Sequence, residues 1–215
     1  MDNPSRTPAD SQQPDRHAKD KDGTSRRDDP VEAHRPRVTR VGARAPLGLT
    51  ALQLATAARA RKLEPRSTPF ADARQERFGM VHCRFLPDQL WGLQRLVALG
   101  APALAEAAHG LRRPVPLLLG LGDSARPDFA PPQPSTLLEQ LAGGQPTRVD
   151  LSASTAFPNG NGSFALILMQ AVQLLDAGAP AVLVGAVDSY YHPDVLAWLH
   201  EAGRLHAPGV DDGFI

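Results

Sequence analysis

The strongest constraint on the fold is the segment 164–175, Phe-Ala-Leu-Ile-Leu-Met-Gln-Ala-Val-Gln-Leu-Leu, in which only Gln170 and Gln173 are polar. A helix this apolar has no face suited to water, which predicts burial on nearly every side. At about 1.5 Å per residue the helix spans only about 18 Å, too short to cross a membrane. The protein must therefore cover it with several layers of its own structure or with a partner.

Two apolar segments predict the sheet that covers this helix. Residues 181–187 are apolar throughout, and residues 115–121 are apolar apart from one proline and one glycine. Continuous apolar runs of this length are typical of strands in a parallel sheet with helices on both faces. The sequence therefore predicts the α/β class, with a mainly parallel sheet and a buried central helix.

Shorter patterns predict the remaining elements. Residues 123–134 are rich in Pro and Asp and predict a loop. The predicted strands are 38–41 and 80–86, the second an edge or half-buried strand. The predicted helices are 51–61 with Thr50 as its N-cap, 88–107 with one face of Leu and Ala, and 135–141.

Residues 1–37 differ from the rest in composition. They contain eight acidic and eight basic residues, and Val31 is their only branched aliphatic residue. Such a segment buries too little apolar surface to offset its chain entropy, so it is predicted to be a disordered tail, and 38–215 the folded domain. The tail lacks the apolar run of a secretory signal, and its acids contradict a transit peptide, which predicts a cytoplasmic protein.

Composition excludes several function classes. The 23 basic and 23 acidic residues balance, which argues against nucleic-acid binding through a global basic field. One cysteine, Cys83, rules out a disulfide framework or a zinc ribbon, and a structural thiol is the expectation for it. The spacings of His192, His200 and His206 match no compact metal motif, so neither a metal nor a cofactor is expected.

The turn before the apolar helix is the first candidate site. Gly160, Asn161, Gly162 and Ser163 lie where a helix N-terminus offers free N–H groups to an anion or a developing oxyanion. Two readings stay open: a helix-entry turn with Ser163 as the cap, or an elbow that presents a nucleophile. The turn has no Walker lysine, and Ala165 breaks the Gly-x-Ser-x-Gly elbow motif.

The loop Ser189-Tyr-Tyr-His-Pro193 is the second candidate. It follows a predicted buried strand and holds both tyrosines of the chain, Tyr190 and Tyr191. Ligands of parallel α/β sheets usually bind at the carboxyl ends of the strands. A binding role for the two tyrosines and simple packing on the loop are both compatible with this position.

Five segments follow one another in the order of a known family's motifs. They are Val41-Gly-Ala-Arg-Ala-Pro-Leu-Gly48, Arg95-Leu-Val-Ala-Leu-Gly-Ala-Pro-Ala-Leu-Ala-Glu-Ala107, Val184-Gly-Ala-Val-Asp-Ser189, residues 194–205, and Asp211-Asp-Gly-Phe-Ile215. In this order, residues 38–215 resemble the N-terminal half of the β-ketoacyl-acyl-carrier-protein synthases. The resemblance implies a thiolase-like fold, with the apolar helix between two sheets.

The resemblance also implies where catalysis would occur. The family carries its catalytic cysteine at the elbow before the buried helix, and here Asn161 takes that position, with Gly162 and Ser163 beside it. An amide is not a nucleophile of thiolate quality. The family's catalytic histidines belong to the C-terminal half, whereas this sequence ends at Ile215, at the approach to a Gly-Glu-Gly motif. The expectation is an incomplete domain whose helix is covered by the second half and a dimer partner.

Three functions follow from the resemblance. The first is a catalytically impaired relative of the fatty-acid and polyketide condensing enzymes that binds acyl-CoA, acyl-carrier protein or a partner subunit in a homo- or heterodimer. The second is an active acyltransferase or decarboxylase that uses Ser163 or an anion hole at Gly160 to Ser163. The third is an interaction scaffold without a small-molecule role.

Overall fold

The computed structural model describes residues 36–60, 65–128 and 133–205. The predicted tail lies outside these residues except for its last two positions, and so do His206 and the segment 211–215. Along the described residues the elements are α1 (Ala51–Arg59), β1 (Arg66–Ala71), β2 (Arg77–Met80), α2 (Gly92–Ala107), β3 (Leu117–Gly120), α3 (Gln133–Gly143), β4 (Thr155–Phe157), α4 (Ser163–Asp176), β5 (Leu183–Ala186) and α5 (Pro193–Glu201).

A parallel sheet with the order β4-β3-β5 lies at the centre of the fold. Leu118 of β3 aligns with Thr155 of β4 on one side and with Val184 of β5 on the other. Because helices connect β3 to β4 and β4 to β5, the three strands run in the same direction. The predicted α/β class with a parallel sheet is therefore confirmed.

Both faces of β3 are covered by helices. Leu117 and Leu119 belong to one core cluster with buried residues of α2 and α3. Leu118, which points to the opposite face, packs with Ile167 and Ala171 of α4. The alternation of a strand thus divides its leucines between two cores, and all four residues of β3 are buried.

Glycine at position 120 lets α4 approach the sheet. A Cβ atom on Gly120 would lie 3.1 Å from Cβ of Ser163 and 3.2 Å from Cδ1 of Ile167. These separations are tighter than ordinary contacts between carbon atoms. The missing side chain therefore sets the distance between the sheet and the first turn of α4.

A second, antiparallel pair of strands packs with α5. Strands β1 and β2 form a hairpin whose turn is held by Asp72, which accepts hydrogen bonds from the backbone N–H groups of Arg74 and Glu76. The predicted strand 80–86 is wrong in position, since β2 ends at Met80 and residues 81–86 follow as coil and turn. The predicted segment shares only Met80 with β2, because the pairing with β1, which the local pattern does not specify, places the strand at 77–80.

The predicted first strand at 38–41 is also wrong. Residues 36–44 form no helix or strand, and the side chains of Val38 and Val41 are 85% and 59% exposed. A strand needs a partner for its backbone groups, and the described residues offer none to this segment. Glu106 of α2 instead accepts hydrogen bonds from the N–H groups of Ala43 and Ala51.

The helix predictions agree better with the structure. Thr50 caps α1 as predicted, since its hydroxyl oxygen accepts a hydrogen bond from the N–H group of Gln53 at 3.3 Å. The predicted helices 88–107 and 135–141 correspond to α2 and α3, which begin at Gly92 and Gln133. The apolar face of α1 is not buried, however, and Leu52 is 77% exposed.

The described residues cover α4 on one side only, so burial on nearly every side is not provided by this part of the chain. Only Ser163, Ile167 and Ala171 of this helix are buried, whereas Phe164 is 69% and Met169 62% exposed. Strand β5, expected to be buried, is an edge strand of the sheet and three of its four residues are exposed. One side of α4 packs on the sheet, and among the described residues nothing covers the other.

Within residues 36–60, 65–128 and 133–205, no helix is both long enough and apolar enough to span a membrane.

We expect truncations on the two sides of α4 to differ in their effect on stability. Ile167→Ala removes a side chain from the α4–β3 core and should lower the free energy of unfolding by about 2–5 kcal/mol. Met169→Ala, on the exposed side, should change it by less than about 0.5 kcal/mol. Urea denaturation followed by circular dichroism measures both. A loss of 2 kcal/mol or more in Met169→Ala would contradict the exposure of this face.

Candidate functional site

The carboxyl ends of β3, β4 and β5 bring the candidate residues to one edge of the sheet. The N–H group of Gly160 donates to the carbonyl of Leu121 at 3.1 Å, and the N–H group of Val187 donates to that of Gly120 at 3.0 Å. These hydrogen bonds connect the turn before α4 and the loop after β5 to the end of β3. Ligand sites of parallel α/β sheets lie at this edge.

The turn before α4 is a single turn of 3-10 helix, residues 160–162. It begins at Gly160, whose φ of 55° lies in the left-handed region that favours glycine. The hydroxyl group of Ser163 donates to the carbonyl of Phe157 at 2.7 Å and accepts from the N–H group of Asn159 at 3.2 Å. Ser163 is 3% exposed. Its hydroxyl group uses its proton and one lone pair in these two hydrogen bonds, which stabilise the turn.

A cavity of about 480 Å³, here called the elbow cavity, opens beside this turn. Its polar part consists of Gly160, Asn161, Ser163 and Asp188, and its remaining walls include apolar residues of α4 and β5 such as Leu168 and Val184. No side chain caps the N-terminus of α4. The cavity thus combines an apolar groove with the positive end of a helix dipole.

A second cavity of about 170 Å³ lies on the other side of the turn and is here called the polar cavity. Gly160 and Asn161 line it together with Tyr190, Arg126 and Asp188. The structure therefore brings three of the predicted site residues, Gly160, Asn161 and Tyr190, to one cavity. Gly162 is exposed and lines neither the elbow cavity nor the polar cavity.

Arg126 is the residue of this edge that the sequence analysis missed. Its Nε and Nη2 atoms donate to the two carboxylate oxygens of Asp128 at 3.0 and 2.8 Å, and its Nη1 atom donates to Oδ1 of Asp188 at 2.6 Å. Its Nη2 atom also donates to the carbonyl of Ser189 at 2.9 Å. One guanidinium group thus joins the loop after β3 to the loop after β5.

The electrostatics of Arg126 favour its charged form. Burial alone would lower the pKa of this guanidinium group, but its hydrogen bonds to Asp128 and the negative charges of Asp188 and Asp128 outweigh burial and raise the pKa above its usual value. Bidentate arginine–carboxylate pairs are among the stronger hydrogen-bonded contacts in proteins. The ring of Tyr190 lies 4.6 Å from Cζ of Arg126 and stacks on the same group.

Tyr191 takes a different position from Tyr190. It is 1% exposed and packs edge-on against Phe70, with the ring centroids 5.0 Å apart. Its hydroxyl group donates to Oδ1 of Asp88 at 3.2 Å. Burial, followed by the charge of Asp88, raises the pKa of Tyr191 to about 12. Tyr191 is therefore a core residue, and the adjacent tyrosine is the one at the candidate site.

The remaining candidates have local roles. Nδ1 of His192 accepts a hydrogen bond from the N–H group of Asp194 at 3.3 Å and so caps α5, as expected of a capping histidine. Cys83 is a buried free thiol. In the parts of the chain that the structure describes, no cluster of three His, Cys, Asp or Glu side chains has the arrangement to hold a metal ion.

Comparison with known proteins identified no relative: no family model matches the chain, and no curated protein or solved structure matches it significantly.

We expect Tyr191 to make stability depend on alkaline pH. The native state keeps the hydroxyl proton to about pH 12, whereas the unfolded chain loses it near the ordinary pKa of 10.0, so stability falls as pH rises from about 10 to about 12. Tyr191→Phe should be less stable by about 1 kcal/mol near neutral pH, because it lacks the hydrogen bond to Asp88. Urea titrations between pH 8 and 12 should show the two stability curves converging above pH 10 and then crossing, because the wild type loses more stability over this range than the hydrogen bond contributes. Parallel curves would contradict the raised pKa.

We expect removal of the Arg126 side-chain charge to be strongly destabilising. Arg126→Met leaves the carboxylate of Asp128, whose side chain is 10% exposed, without its partner and should lower the free energy of unfolding by about 3 kcal/mol. The double variant with Asp128→Asn should recover part of this loss. Arg113→Met, at an exposed position, is the matched control and should stay within about 0.5 kcal/mol. Equal stability of Arg126→Met and the control would refute the role of the network.

Proposed function

We propose that the protein is a thiolase-fold relative of the β-ketoacyl-acyl-carrier-protein synthases that binds an acyl chain, carried on CoA or on an acyl-carrier protein, without condensing it. The observation that carries this proposal is the elbow cavity, in which the apolar walls of α4 and β5 meet the polar turn at Gly160 and Asn161. This combination matches a thioester ligand, whose carbonyl is polar and whose acyl chain is apolar.

The position of the cavity supports the fold part of the proposal. In the resembled family the catalytic elbow precedes a central helix, and here the elbow turn precedes α4, which packs on β3 through the close approach at Gly120. The parallel β4-β3-β5 sheet is compatible with half of such a fold. The family assignment itself rests on the order of the sequence motifs.

The chemistry of the turn supports the absence of condensation. The amide of Asn161, at the family's nucleophile position, cannot form a thioester intermediate. Ser163 is the nearest alternative, but its hydroxyl donates to a backbone carbonyl and no histidine lines the elbow cavity. A serine nucleophile needs a base that accepts its proton. The proposed role is therefore a binding or partner subunit.

The uncovered side of α4 supports a partner. Phe164, Met169 and Val172 are 69%, 62% and 44% exposed on this helix, and Val184 of the edge strand β5 is 49% exposed. Soluble proteins rarely leave a contiguous apolar surface of this kind without an interaction partner. An unpaired strand edge adds backbone groups that another chain can pair with. A homo- or heterodimer through this side is part of the proposal.

Binding of octanoyl-CoA tests the acyl site. Leu168 and Leu166 are both 42% exposed on α4, but only Leu168 lines the elbow cavity. A carboxylate there would meet the apolar chain of the ligand, so Leu168→Glu should weaken binding at least 10-fold in isothermal titration calorimetry. The matched control Leu166→Glu should stay within 2-fold of the wild type. Equal effects of the two variants, or no binding by the wild type, would contradict the acyl site.

Intact-mass measurement separates binding from catalysis. After incubation with octanoyl-CoA we expect no covalent adduct on the wild-type protein, because the elbow lacks an activated nucleophile. An octanoyl adduct that disappears in Ser163→Ala would overturn the non-condensing proposal in favour of an acyltransferase. Absence of both adduct and binding would favour the interaction scaffold.

A further inference from the structure

A third cavity, here called the arginine cavity, carries a feature that the proposed function does not use. It has a volume of about 220 Å³ and lies between residues 44–46, residues 80–83, Arg95 of α2, the loop after β5 and α5. Asp188 is the only lining residue that it shares with the elbow cavity. The two cavities are therefore separate sites on the chain.

Arg95 is a buried cation that forms no ion pair with any carboxylate of the described residues. It is 2% exposed, and its Nη1 atom donates to the carbonyl of Leu90 at 3.0 Å. Its Cζ atom lies 3.9 Å from the centre of the Tyr191 ring. Its Nε atom is buried and has no hydrogen-bond acceptor among the described residues.

Arg44 is a second cation of the cavity lining and is half-buried. Its guanidinium group lies 4.6 Å from the centre of the Phe85 ring, and its Nε atom is buried without an acceptor among the described residues. The charges of Arg44 and Arg95 both act on the thiol of Cys83, which lines the same cavity. Two cationic groups therefore line one cavity.

The acids near the cavity form no ion pair with these two arginines. Asp188 is paired with Arg126 at 2.6 Å and also accepts from the N–H group of Ser189 at 2.7 Å. Asp88 accepts a hydrogen bond from the hydroxyl group of Tyr191, and its negative charge favours the charged form of Arg95. Within the described ranges neither aspartate forms an ion pair with Arg44 or Arg95.

A buried charge without a counter-charge is unfavourable by several kcal/mol, and buried N–H groups without an acceptor are rare in proteins. A bound anion in the cavity would reduce the charge penalty, because its charge balances the guanidinium groups and its oxygens accept from guanidinium N–H groups that face the cavity. The rest of the lining is largely apolar and includes Met80, Leu99, Leu196 and Leu199. The ligand that fits has an anionic head and an apolar body.

We propose that the arginine cavity binds a small organic carboxylate, whose head accepts hydrogen bonds from Arg44 and Arg95 and whose body packs against Met80, Leu196 and Leu199. Since one water molecule takes up about 30 Å³ of liquid volume, a cavity of about 220 Å³ accommodates roughly seven or eight non-hydrogen atoms. A straight-chain acid of about six carbons has this size.

Cys83 is a built-in reporter for this site. It is the single cysteine of the chain, is 4% exposed and lines the cavity. Burial raises the pKa of its thiol, while the charges of Arg95 and Arg44 act in the opposite direction. A bound carboxylate blocks access to the sulfur and also cancels the effect of the arginines on the pKa, so both consequences slow its alkylation.

The test measures the rate at which iodoacetamide alkylates Cys83 in the full chain, by intact mass, with and without hexanoate. We expect saturating hexanoate to slow alkylation at least 5-fold. Hexanamide, which has the same body without the charge, and hexylammonium, which has the opposite charge, should leave the rate unchanged within 2-fold. Inorganic phosphate should protect less than hexanoate, because it lacks the apolar body.

Two variants and a control assign the protection to the arginines. Arg95→Gln should abolish protection by hexanoate, and Arg44→Gln, at a half-buried position, should reduce it at least 3-fold. In Arg84→Gln, which changes an exposed residue next to Cys83, hexanoate should slow alkylation as much as in the wild type. Each variant is compared with itself in the absence of ligand, so a change in intrinsic thiol reactivity cancels. If Arg95→Gln does not fold, as judged by near-ultraviolet circular dichroism, Arg44→Gln alone decides.

Four results would overturn the proposal. The first is no protection by hexanoate in the wild type, and the second is equal protection by hexanamide, which would show that charge is not recognised. The third is equal protection in Arg44→Gln and Arg84→Gln. The fourth is equal protection by inorganic phosphate and hexanoate, which would indicate an unselective anion site instead of a site for a carboxylate with an apolar body.

Discussion

The fold depends on the burial of strand β3 on both faces. Its alternating side chains enter two different cores, Leu117 and Leu119 with α2 and α3, and Leu118 with α4. A four-residue strand can do this only if helices approach from both sides, and Gly120 permits the approach of α4. Because β4 and β5 both pair with β3, its carboxyl end also determines where the turn before α4 and the loop after β5 meet.

The helix that most constrains the fold is covered on one side only within the described residues. Its apolar composition is a property of the sequence, whereas its exposure depends on which elements lie nearby. Ile167 and Ala171 meet the sheet, and Phe164 and Met169 do not meet any described element closely enough to be buried. An apolar helix with one exposed side favours the proposed partner, since a surface of a second protein would bury the apolar side chains of α4 that the described residues leave exposed.

The candidate site was predictable in part. Glycine and asparagine before an apolar helix, and polar residues after an apolar strand, marked Gly160, Asn161 and Tyr190, and these three residues line one cavity. The Arg126 network was not predictable, because Arg126 and Asp188 are 62 positions apart and no local pattern relates them. For the same reason, no local pattern indicated that Arg44 and Arg95 line one cavity.

The sequence by itself determined the α/β class, the positions of the longer helices and the parallel sheet, since apolar periodicity and helix caps act over a few residues. The resemblance that underlies the proposed function, with Asn161 in place of a cysteine, also comes from the sequence. Only the tertiary structure decided that residues 38–41 form no strand and that, among the described residues, α4 has an uncovered side and Arg95 has no carboxylate partner. Strand pairing, burial and ion pairs depend on residues distant in the sequence, which local patterns do not specify.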